Sequence, residues 1–266
     1  MLVTGGSMGI GLAVAQTLAS RDTELVLVAR GTESLKRAVD SLEGEGHSWH
    51  AFDVSDDDAW SAVQIDELHG LVCAAALMDP VGPIGSYAPA DFKRTLDVNV
   101  VGTLLAVHHC LPALQAAGGS IVTFGGGGAT APLPRFDAYA ASKAAIGRLT
   151  ENLAIALAPL RINCVAPGFV ATRLHEATLA AGAEAAGPDF YERTRRAIEQ
   201  GGFPAAEAAD LVCLLLADPP FSGKLVSAQW DPWRDPTYHE RLANEPDLGT
   251  LRRIDGMLFE RTREAH

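Results

Sequence analysis

The alternation of short apolar runs with helical stretches constrains the fold of this chain more than any other feature of its sequence. The stretch from Glu24 to Ala29 contains a continuous apolar run, which is typical of a strand covered on both faces. Including this stretch, we predict strands at residues 1–4, 24–29, 49–54, 70–75, 120–124, 161–166 and 224–228. Strands that alternate with helices predict an α/β fold, in which a doubly wound sheet of about seven parallel strands has helices on both faces.

The segments between these strands are predicted to be helical. We place helices up to about residue 20 and at residues 32–42, 56–68, 91–115, 139–158 and 205–217. The helix at 91–115 should break or bend near Pro112, because proline removes a backbone hydrogen-bond donor. Two stretches lie outside the alternation, at about 172–204 and at about 230–266, and neither indicates a second domain. The whole chain, 1–266, is therefore predicted to form a single domain.

Composition limits the possible partners and location of the protein. A hydrophobic share of 48% and a charged share of 20% are ordinary for a soluble protein, and the net charge of -12 argues against a nucleic-acid partner. No apolar run reaches the roughly 18 residues of a membrane helix, and the start of the sequence lacks the pattern of a secretory signal. The four cysteines lie far apart in apolar surroundings, which favours reduced core residues over disulfides or a metal site. We expect a cytoplasmic protein with no membrane partner and no metal.

A glycine-rich turn between the first predicted strand and the first predicted helix indicates a dinucleotide site. The turn reads Thr4-Gly-x-x-x-Gly-Ile-Gly11. Glycines let the chain turn tightly and let a pyrophosphate approach the free N–H groups at the start of a helix. Tight strand-to-helix turns also use glycine for purely structural reasons, so its place in the first βα unit is what favours a cofactor. The predicted cofactor contacts in the turn are Gly5, Ser7, Met8, Gly9, Ile10 and Gly11.

The residues after the second and third predicted strands bear on which nicotinamide cofactor binds. Arg30 follows the second strand, where an acid would bind the ribose of NAD and an arginine accommodates the 2′-phosphate of NADP. We therefore expect NADP(H) to be preferred over NAD(H), and Thr32 is a further predicted cofactor contact. Against this preference, Met8 occupies a position where a second basic residue would help to hold the phosphate. A solvated Arg30 at the start of a loop is the alternative. Asp53 and Val54 are expected to meet the adenine, unless Asp53 only opens a loop.

Tyr139 and Lys143 are the candidate proton-transfer pair. They lie four residues apart in a predicted helix, so both side chains project from one face. A phenol has an ordinary pKa of roughly 10, and a nearby ammonium favours the phenolate, so the pair can exchange a proton with a hydroxyl or carbonyl near neutral pH. The alternative, a partly buried tyrosine beside a surface lysine, is common in helices.

Taken together, the chain resembles the short-chain dehydrogenase/reductase family from Met1 to about Asp231. Four motifs carry the resemblance, and their order and spacing are more specific than any one of them. They are Thr4-Gly-x-x-x-Gly-Ile-Gly11, Asn99 within Leu-Asp-Val-Asn-Val, Tyr139-x-x-x-Lys143 and Pro167-Gly168-x-x-x-Thr172. The resemblance implies a Rossmann fold and a reaction that interconverts a ketone and a secondary alcohol.

The resemblance also implies a role for each matching residue. Tyr139 would be the general acid in carbonyl reduction and the base in alcohol oxidation. Lys143 would hold the nicotinamide ribose and lower the pKa of Tyr139, and Asn99 would bend its helix around a water that relays protons to Lys143. Asn99 bonding to its own helix backbone is the structural alternative. The further cofactor contacts implied by the family are Pro167, Gly168, Val170, Thr172, and the backbone at Ala74 and Ala75.

One departure from the family pattern affects catalysis directly. The family's catalytic serine falls at Gly126, or at Gly125 in the alternative alignment, so neither position carries a hydroxyl. The serine normally hydrogen-bonds the substrate oxygen. Three explanations remain open. Thr130 replaces the hydroxyl, the substrate supplies its own hydroxyl or amine, or the chain has lost catalysis and is an NADP-binding scaffold or regulator.

The substrate is expected under the segment after the sixth strand, which should form one or two short helices that close as a lid. The stretches Gly126–Pro134 and Ser222–Asp231 resemble a subgroup associated with carbohydrate pathways, and the tail adds Trp233 and Tyr238. We expect an NADPH-dependent reductase of a sugar-like or aminocyclitol-like ketone, with a 3-oxoacyl-type reductase as the alternative. The tail aromatics would contact a sugar or a neighbouring subunit. The resemblance implies a homodimer or homotetramer.

Overall fold

A seven-stranded sheet, with every strand parallel to its neighbours, forms the centre of the protein. The computed structural model describes residues 1–252, except for the side chains of residues 173 and 174. The strands are β1 (Leu2–Thr4), β2 (Val26–Ala29), β3 (Ser48–Ala51), β4 (Gly70–Cys73), β5 (Ser120–Phe124), β6 (Arg161–Ala166) and β7 (Leu225–Ser227). Their order is β3-β2-β1-β4-β5-β6-β7, so the crossovers change direction between β1 and β4. The predicted doubly wound parallel sheet is confirmed.

Helices cover both faces of the sheet. They are α1 (Gly9–Ala19), α2 (Thr32–Asp40), α3 (Asp57–Trp60), α4 (Pro89–Leu96), α5 (Gly102–Ala117), α6 (Asp137–Ala156), α7 (Arg173–Ala186), α8 (Pro188–Glu199), α9 (Ala205–Leu216) and α10 (Pro236–Asn244). One core layer joins the sheet to α1, α2 and α9, and includes Val14, Leu35 and Leu211. The opposite layer joins the sheet to α5 and α6, and includes Val107 and Leu114. Burial of this apolar area on both faces is the main source of stability for such a fold.

Two details of the third βα unit were predicted wrongly. The helix expected at 56–68 is only the single turn of α3, because Trp60 is fully buried and its indole N–H donates to the Val54 carbonyl at 2.9 Å. The third strand is also not apolar throughout, since it lies at the edge of the sheet and exposes Ser48 and Ala51. It ends at Ala51, two residues before Asp53.

The irregularity in the long helix lies in its middle and not at the proline. α5 continues through Pro112, which is exposed, so its missing hydrogen bond faces solvent. The helical path changes instead at a π-helical turn, Asp97–Val101, that separates α4 from α5 and contains Asn99. A π turn inserts an extra residue into the helix, and such turns frequently mark functional sites.

Helices α7 and α8 form the segment expected to cover the substrate, and we refer to residues 172–204 as the lid. The lid packs on the start of α6 through a third apolar cluster that contains Phe136, Tyr139, Ala186 and Phe190. Arg135 adds hydrogen bonds from its Nη1 to the carbonyls of residues 184 and 185 at the end of α7, at 2.6 and 3.0 Å. The lid is therefore attached directly to the helix that carries Tyr139.

The tail after Trp230 packs against its own domain as far as it is described. Trp233 and Tyr238 lie in the core beside α9, and the Trp233 indole donates to the Ala228 carbonyl at 3.0 Å. The expectation that these two aromatic residues contact a sugar is therefore wrong, whereas the alternative that the tail packs on a neighbouring subunit stays a prediction. Residues 253–266 of the predicted tail lie outside the described residues.

The long helical segment Pro89–Ala117 passes a length-and-composition test for a membrane span, with a mean hydropathy of 1.4. In this structure it packs on the sheet and buries Val98, Ala106 and Leu114 in the core. The same test is passed by core helices of soluble proteins, so it is weak evidence for a membrane. All four cysteines are free and buried, as predicted.

Candidate active site

Two adjoining clefts lie at the carboxyl ends of the strands. The first has a volume of about 770 Å³ and lies over the ends of β1, β2 and β4. The second has a volume of about 500 Å³ and lies over the ends of β5, β6 and β7. Ile10, Ala74, Ala76, Met78 and Thr172 line both, so the two clefts are continuous. Ligand sites of open α/β sheets occur at this edge, next to the point where the strand order reverses.

Close backbone contacts explain the glycine turn between β1 and α1. Gly5 has φ +67°, and a Cβ there would lie 2.8 Å from the Ala75 backbone nitrogen. A Cβ at Gly11 would lie 2.3 Å from the carbonyl oxygen of Gly5, so no side chain fits. Gly9 has φ +57°, a conformation that glycine adopts without strain. The turn therefore brings the start of α1 against the loop after β4, and its backbone lines the first cleft.

Most of the predicted cofactor contacts line the clefts. The first cleft is lined by Gly5, Ser7, Met8, Gly9, Ile10, Gly11, Arg30, Asp53, Val54, Ala74, Ala75 and Thr172, and the second by Tyr139, Lys143, Pro167 and Gly168. Thr32 and Val170 line neither, because Thr32 is exposed on α2 and Val170 is buried behind the loop after β6. Sequence reasoning missed Ser34, Phe52, Leu77 and Asp79 in the first cleft. These residues follow no spacing rule, although their positions shortly after strand ends were a usable signal.

Asp53 is held by neighbours of its own chain. Its carboxylate pairs with Arg94 and also accepts hydrogen bonds from the Ser55 N–H at 3.0 Å and the Ser55 hydroxyl at 2.7 Å. Burial acts to raise the pKa of Asp53, but these hydrogen bonds outweigh it and lower the pKa. Asp53 is therefore an ionised acceptor fixed at the wall of the first cleft.

Tyr139 and Lys143 lie together on the first turns of α6 and line the second cleft. Both side chains are buried, and the Lys143 Nζ lies 5.4 Å from the centre of the Tyr139 ring. The same Nζ donates to the Phe124 carbonyl at the end of β5, at 2.9 Å. The pair is thus fixed between α6 and the sheet, and the alternative of a lysine at the surface is excluded.

The pKa values of the pair are shifted by burial. Desolvation raises the pKa of Tyr139 to about 12 and lowers the pKa of Lys143 to about 8. The lowered tyrosine pKa that the family resemblance implied is therefore not found in this structure, where burial dominates. The phenol of Tyr139 therefore keeps its proton at neutral pH and can donate it. The Lys143 ammonium loses its proton at a pH of about 8.

Asn99 connects three elements around Tyr139. Its Nδ2 donates to the Leu77 carbonyl and to the Ser142 hydroxyl, both at 2.9 Å, and its Oδ1 accepts from the Leu77 N–H at 2.7 Å. Ser142 in turn donates to the Tyr139 carbonyl at 2.7 Å. The side chain of Asn99 therefore links the loop after β4 to α6 and does not bond to its own helix, whereas its carbonyl accepts from Thr103 at 2.8 Å.

Gly126 occupies the position closest to the tyrosine hydroxyl. A Cβ at Gly126 would lie 3.3 Å from the Tyr139 Oη, whereas a Cβ at Gly125 would face Leu225 and the Cys164 thiol at 3.0 and 3.1 Å. A side chain at Gly126 would therefore lie beside the phenol, whereas one at Gly125 would point toward β6 and β7. The φ of +131° at Gly126 also lies in a region that residues with side chains rarely adopt. A side chain at this position would therefore strain the loop backbone.

The remaining polar residues of the second cleft belong to the loop after β5, the lid and the end of β7. Thr130 lines this cleft but is exposed on its outer side. His175 of the lid and Gln229 and Trp230 after β7 line the same cleft. Sequence reasoning did not single out His175, since a lone histidine in a lid helix carries no motif. Trp230 lies in the stretch Ser222–Asp231, which was described only as resembling a subgroup associated with carbohydrate pathways.

The residues of the two clefts fit a dinucleotide cofactor. The first cleft has backbone at the start of α1 where a pyrophosphate binds, and a cation, Arg30, at its far end. The crowded glycines show that no side chain blocks this approach. The second cleft continues from it to Tyr139 and Lys143, where a nicotinamide would meet a substrate.

Comparison with known proteins agrees with this geometry. The family model described as short chain dehydrogenase matches residues 1–181. The chain belongs to the short chain dehydrogenase family. It is 35% identical over 187 residues to the pig (Sus scrofa) protein named "Dehydrogenase/reductase SDR family member 4", which covers 66% of this chain and 67% of the relative. The matched region therefore spans about two thirds of that relative's length.

Two further family members support the general reaction and the fold. The cis-4-hydroxycyclohexanecarboxylate dehydrogenase of Sinomonas cyclohexanicum is 32% identical over 65% of this chain and 74% of its own. A putative short chain dehydrogenase from Escherichia coli CFT073, solved with NADPH, has a TM-score of 0.73 and 26% identity over 86% of this chain and 95% of its own. Membership in the family supports an oxidoreductase that acts on alcohol or ketone groups and binds a nicotinamide cofactor.

Proposed function

We propose that this short chain dehydrogenase uses NADP(H) to interconvert a ketone and a secondary alcohol on a sugar-like or aminocyclitol-like small molecule. The observation that carries the proposal is the buried Tyr139–Lys143 pair in the second cleft, where it meets the end of the glycine-lined first cleft. This arrangement holds a proton donor where a substrate oxygen would lie beside a bound cofactor.

The chain's own residues supply placement and proton transfer, and the cofactor supplies the hydride when it is bound. Tyr139 donates its phenolic proton to the substrate oxygen during reduction and accepts it during oxidation. Lys143 holds a positive charge beside the phenol, which favours the phenolate that forms when the proton leaves. Asn99, through Ser142, fixes the turn of α6 that carries Tyr139.

The preference for NADP(H) rests on the residues at the end of β2. Arg30 lines the first cleft directly after the strand, and it makes no ion pair among the residues that the structure describes. Ser34 lines the cleft beside it, and its hydroxyl can accept or donate a hydrogen bond. Asp53 is already paired with Arg94, so it does not offer a free carboxylate to a ribose hydroxyl. An arginine with a free guanidinium suits a 2′-phosphate.

The substrate class rests on the second cleft and its mouth. Trp230 is 79% exposed at the rim of this cleft, and an exposed aromatic face suits the apolar face of a sugar or a cyclitol ring. Gln229 and His175 add neutral hydrogen-bonding groups to the same wall. The same cleft also contains apolar residues, among them Leu133, Phe169 and Phe190, which would suit an acyl chain. A 3-oxoacyl-type reductase is therefore the second candidate.

Turnover of a ketone panel with purified protein tests this proposal. We expect NADPH to support reduction of keto-sugars or cyclic hydroxyketones, with a weaker rate for NADH and for long-chain acyl ketones. Arg30→Asp should reverse the cofactor preference, because it replaces the cation with an acid that repels the 2′-phosphate. A protein that binds NADPH tightly but reduces no ketone would be a scaffold or regulator, and a preference for acyl ketones would favour the second candidate.

We further propose a homo-oligomer of cytoplasmic location. Val101 and Leu104, at the start of α5, are 41% and 46% exposed, and Ile155 on α6 is 81% exposed. Exposed apolar residues on neighbouring helices are typical of an interface between subunits. Leu104→Glu should shift the mass measured by light scattering toward the monomer. An unchanged mass would place the interface elsewhere.

A further inference from the structure

His175 lies in the first turn of α7, on the side of the lid that faces the cleft with Tyr139 and Lys143. Its imidazole stacks on Phe169 of the loop after β6, with the ring centres 4.0 Å apart and an angle of 39° between the planes. The stack joins the lid to the loop at the end of β6. The ring therefore has a fixed plane at the wall of the second cleft.

One nitrogen of this ring is buried without a partner. Among the buried side-chain nitrogen and oxygen atoms of the described residues, only His175 Nδ1 and Thr194 Oγ1 lack a hydrogen bond. Leaving a buried polar atom unpaired is unfavourable, so such an atom next to a ligand cleft calls for an explanation. Thr194 lies on α8 and lines neither cleft, whereas His175 lines the second.

The charge state of His175 limits what it can bind. Burial lowers the pKa of His175 to about 4, and the nearby Val170 backbone opposes this shift only partly. The imidazole is therefore neutral at physiological pH, with one nitrogen that donates and one that accepts. Such a group suits a neutral hydroxyl or carbonyl oxygen better than a carboxylate or phosphate.

Two other polar groups at this end of the cleft are already paired. The Asp231 carboxylate accepts from the Ser227 N–H at 2.7 Å, and the Ser227 hydroxyl accepts from the Trp230 N–H at 3.1 Å. Gly126 offers no side chain beside the Tyr139 hydroxyl. The loop after β5 thus offers no side-chain hydroxyl at Gly126 beside Tyr139, and the wall of the cleft contains an unpaired imidazole nitrogen.

We propose that His175 is a substrate-positioning residue, which hydrogen-bonds a hydroxyl or carbonyl oxygen of the substrate and orients it toward Tyr139 in the absence of a serine. A half-turn of the ring exchanges the positions of Nδ1 and Cδ2 and keeps the ring against Phe169, so this change needs no movement of α7. The inference rests on the proposed function, since it needs a substrate in this cleft.

Three variants test it: His175→Phe, His175→Gln and the control Thr194→Val. Phenylalanine keeps the ring and its stack but removes both nitrogens, whereas glutamine restores a donor and an acceptor. Thr194→Val removes the other unpaired atom of the lid without touching either cleft. For each variant we would measure kcat and KM for the best ketone of the panel, together with the Kd of NADPH and the melting temperature.

We expect His175→Phe to raise KM about tenfold or more, the loss of about one hydrogen bond, with an unchanged Kd for NADPH and no loss of melting temperature. His175→Gln should recover at least part of this loss, and Thr194→Val should match the wild type in KM. Equal losses in the Phe and Gln variants, or a KM for His175→Phe within twofold of the wild type, would overturn the inference while leaving the proposed function intact. A wild-type protein that reduces no ketone would overturn both.

Discussion

Two glycine-rich loops follow parallel strands in this protein, and glycine has a different consequence in each. In the turn after β1, a side chain at Gly5 or Gly11 would meet backbone atoms at less than 3 Å. In the loop after β5, the nearest atom to a Cβ at Gly127 is 3.8 Å away, and a Cβ at Gly126 would lie 3.3 Å from the Tyr139 Oη. The first loop needs glycine for packing at Gly5 and Gly11. In the second loop Gly128 is crowded as well, since a Cβ there would lie 2.7 Å from the Ala140 Cα, whereas Gly127 borders open space.

This difference shows why a glycine in a sequence does not by itself indicate a function. A crowded glycine gives the backbone its path, so its replacement should damage folding and cofactor binding together. A glycine that borders an open cleft decides which chemical groups are present, so its replacement should act on the substrate. Three sets of variants separate the two cases.

The largest effect is expected from Gly11→Ala. Its Cβ would lie 2.3 Å from the Gly5 carbonyl oxygen, so the turn must move. We expect the free energy of unfolding to fall by about 3 kcal/mol and NADPH affinity to fall about 100-fold or more. Gly127→Ala is the matched control in the second loop, and it should change stability by no more than about 0.5 kcal/mol. Equal effects in denaturation and cofactor titration would contradict the distinction.

A smaller effect is expected from the pH dependence of Lys143, which lies beside the second loop. The pKa of this lysine falls from 10.5 in the unfolded chain to about 8 in the folded protein without cofactor. Between pH 8 and pH 10.5 the unfolded chain holds a proton on Lys143 that the folded protein has released. The free energy of unfolding therefore increases with pH across this window, and this increase is lost when the pH falls to 8.

Comparison with Lys143→Met isolates this contribution. Between pH 8 and pH 10.5, the free energy of unfolding should increase by roughly 1 to 3 kcal/mol more in the wild type than in the variant. Denaturant titrations at several pH values measure the difference, in which the contributions of other groups cancel. A constant difference across the window would mean that Lys143 is not desolvated.

The smallest effect is expected from Gly126→Ser and Gly126→Ala. Both residues must adopt the φ of +131° or move the loop, so each should cost about 1 to 2 kcal/mol of stability. Serine restores a hydroxyl beside Tyr139, but we expect no gain in kcat/KM over Gly126→Ala, because in our proposal His175 orients the substrate. A serine variant several times more active than the wild type would show that the missing hydroxyl limits turnover.

Sequence reasoning recovered the regular parts of the molecule and the crowded loop. The strand positions, the parallel sheet and the glycine turn follow from apolar runs and spacing, and the structure confirms the sheet. The four-residue separation of Tyr139 and Lys143 also predicted that they lie on one face of α6. The single turn of α3 depends on the buried indole of Trp60, which is a tertiary contact that no local pattern contains.

The second cleft was harder to predict because its walls come from distant parts of the chain. His175 from the lid, Gln229 from the end of β7 and Thr130 from the loop after β5 share one cavity. None of them follows a motif, and whether His175 is paired depends on the packing of α7 on the loop after β6. A bend in the long helix was predicted near Pro112 and, from the family resemblance, at Asn99. The π turn lies at Asn99, whose side chain contacts Leu77 and Ser142.

The central claim is that Tyr139 transfers the proton although Gly125 and Gly126 offer no serine hydroxyl beside it. The most direct test is single-turnover reduction of the best ketone by Tyr139→Phe and wild type, each saturated with NADPH. The account predicts that the rate falls by about 100-fold or more while the Kd of NADPH stays within about twofold of the wild type. A Tyr139→Phe protein that reduces the ketone at the wild-type rate would contradict it.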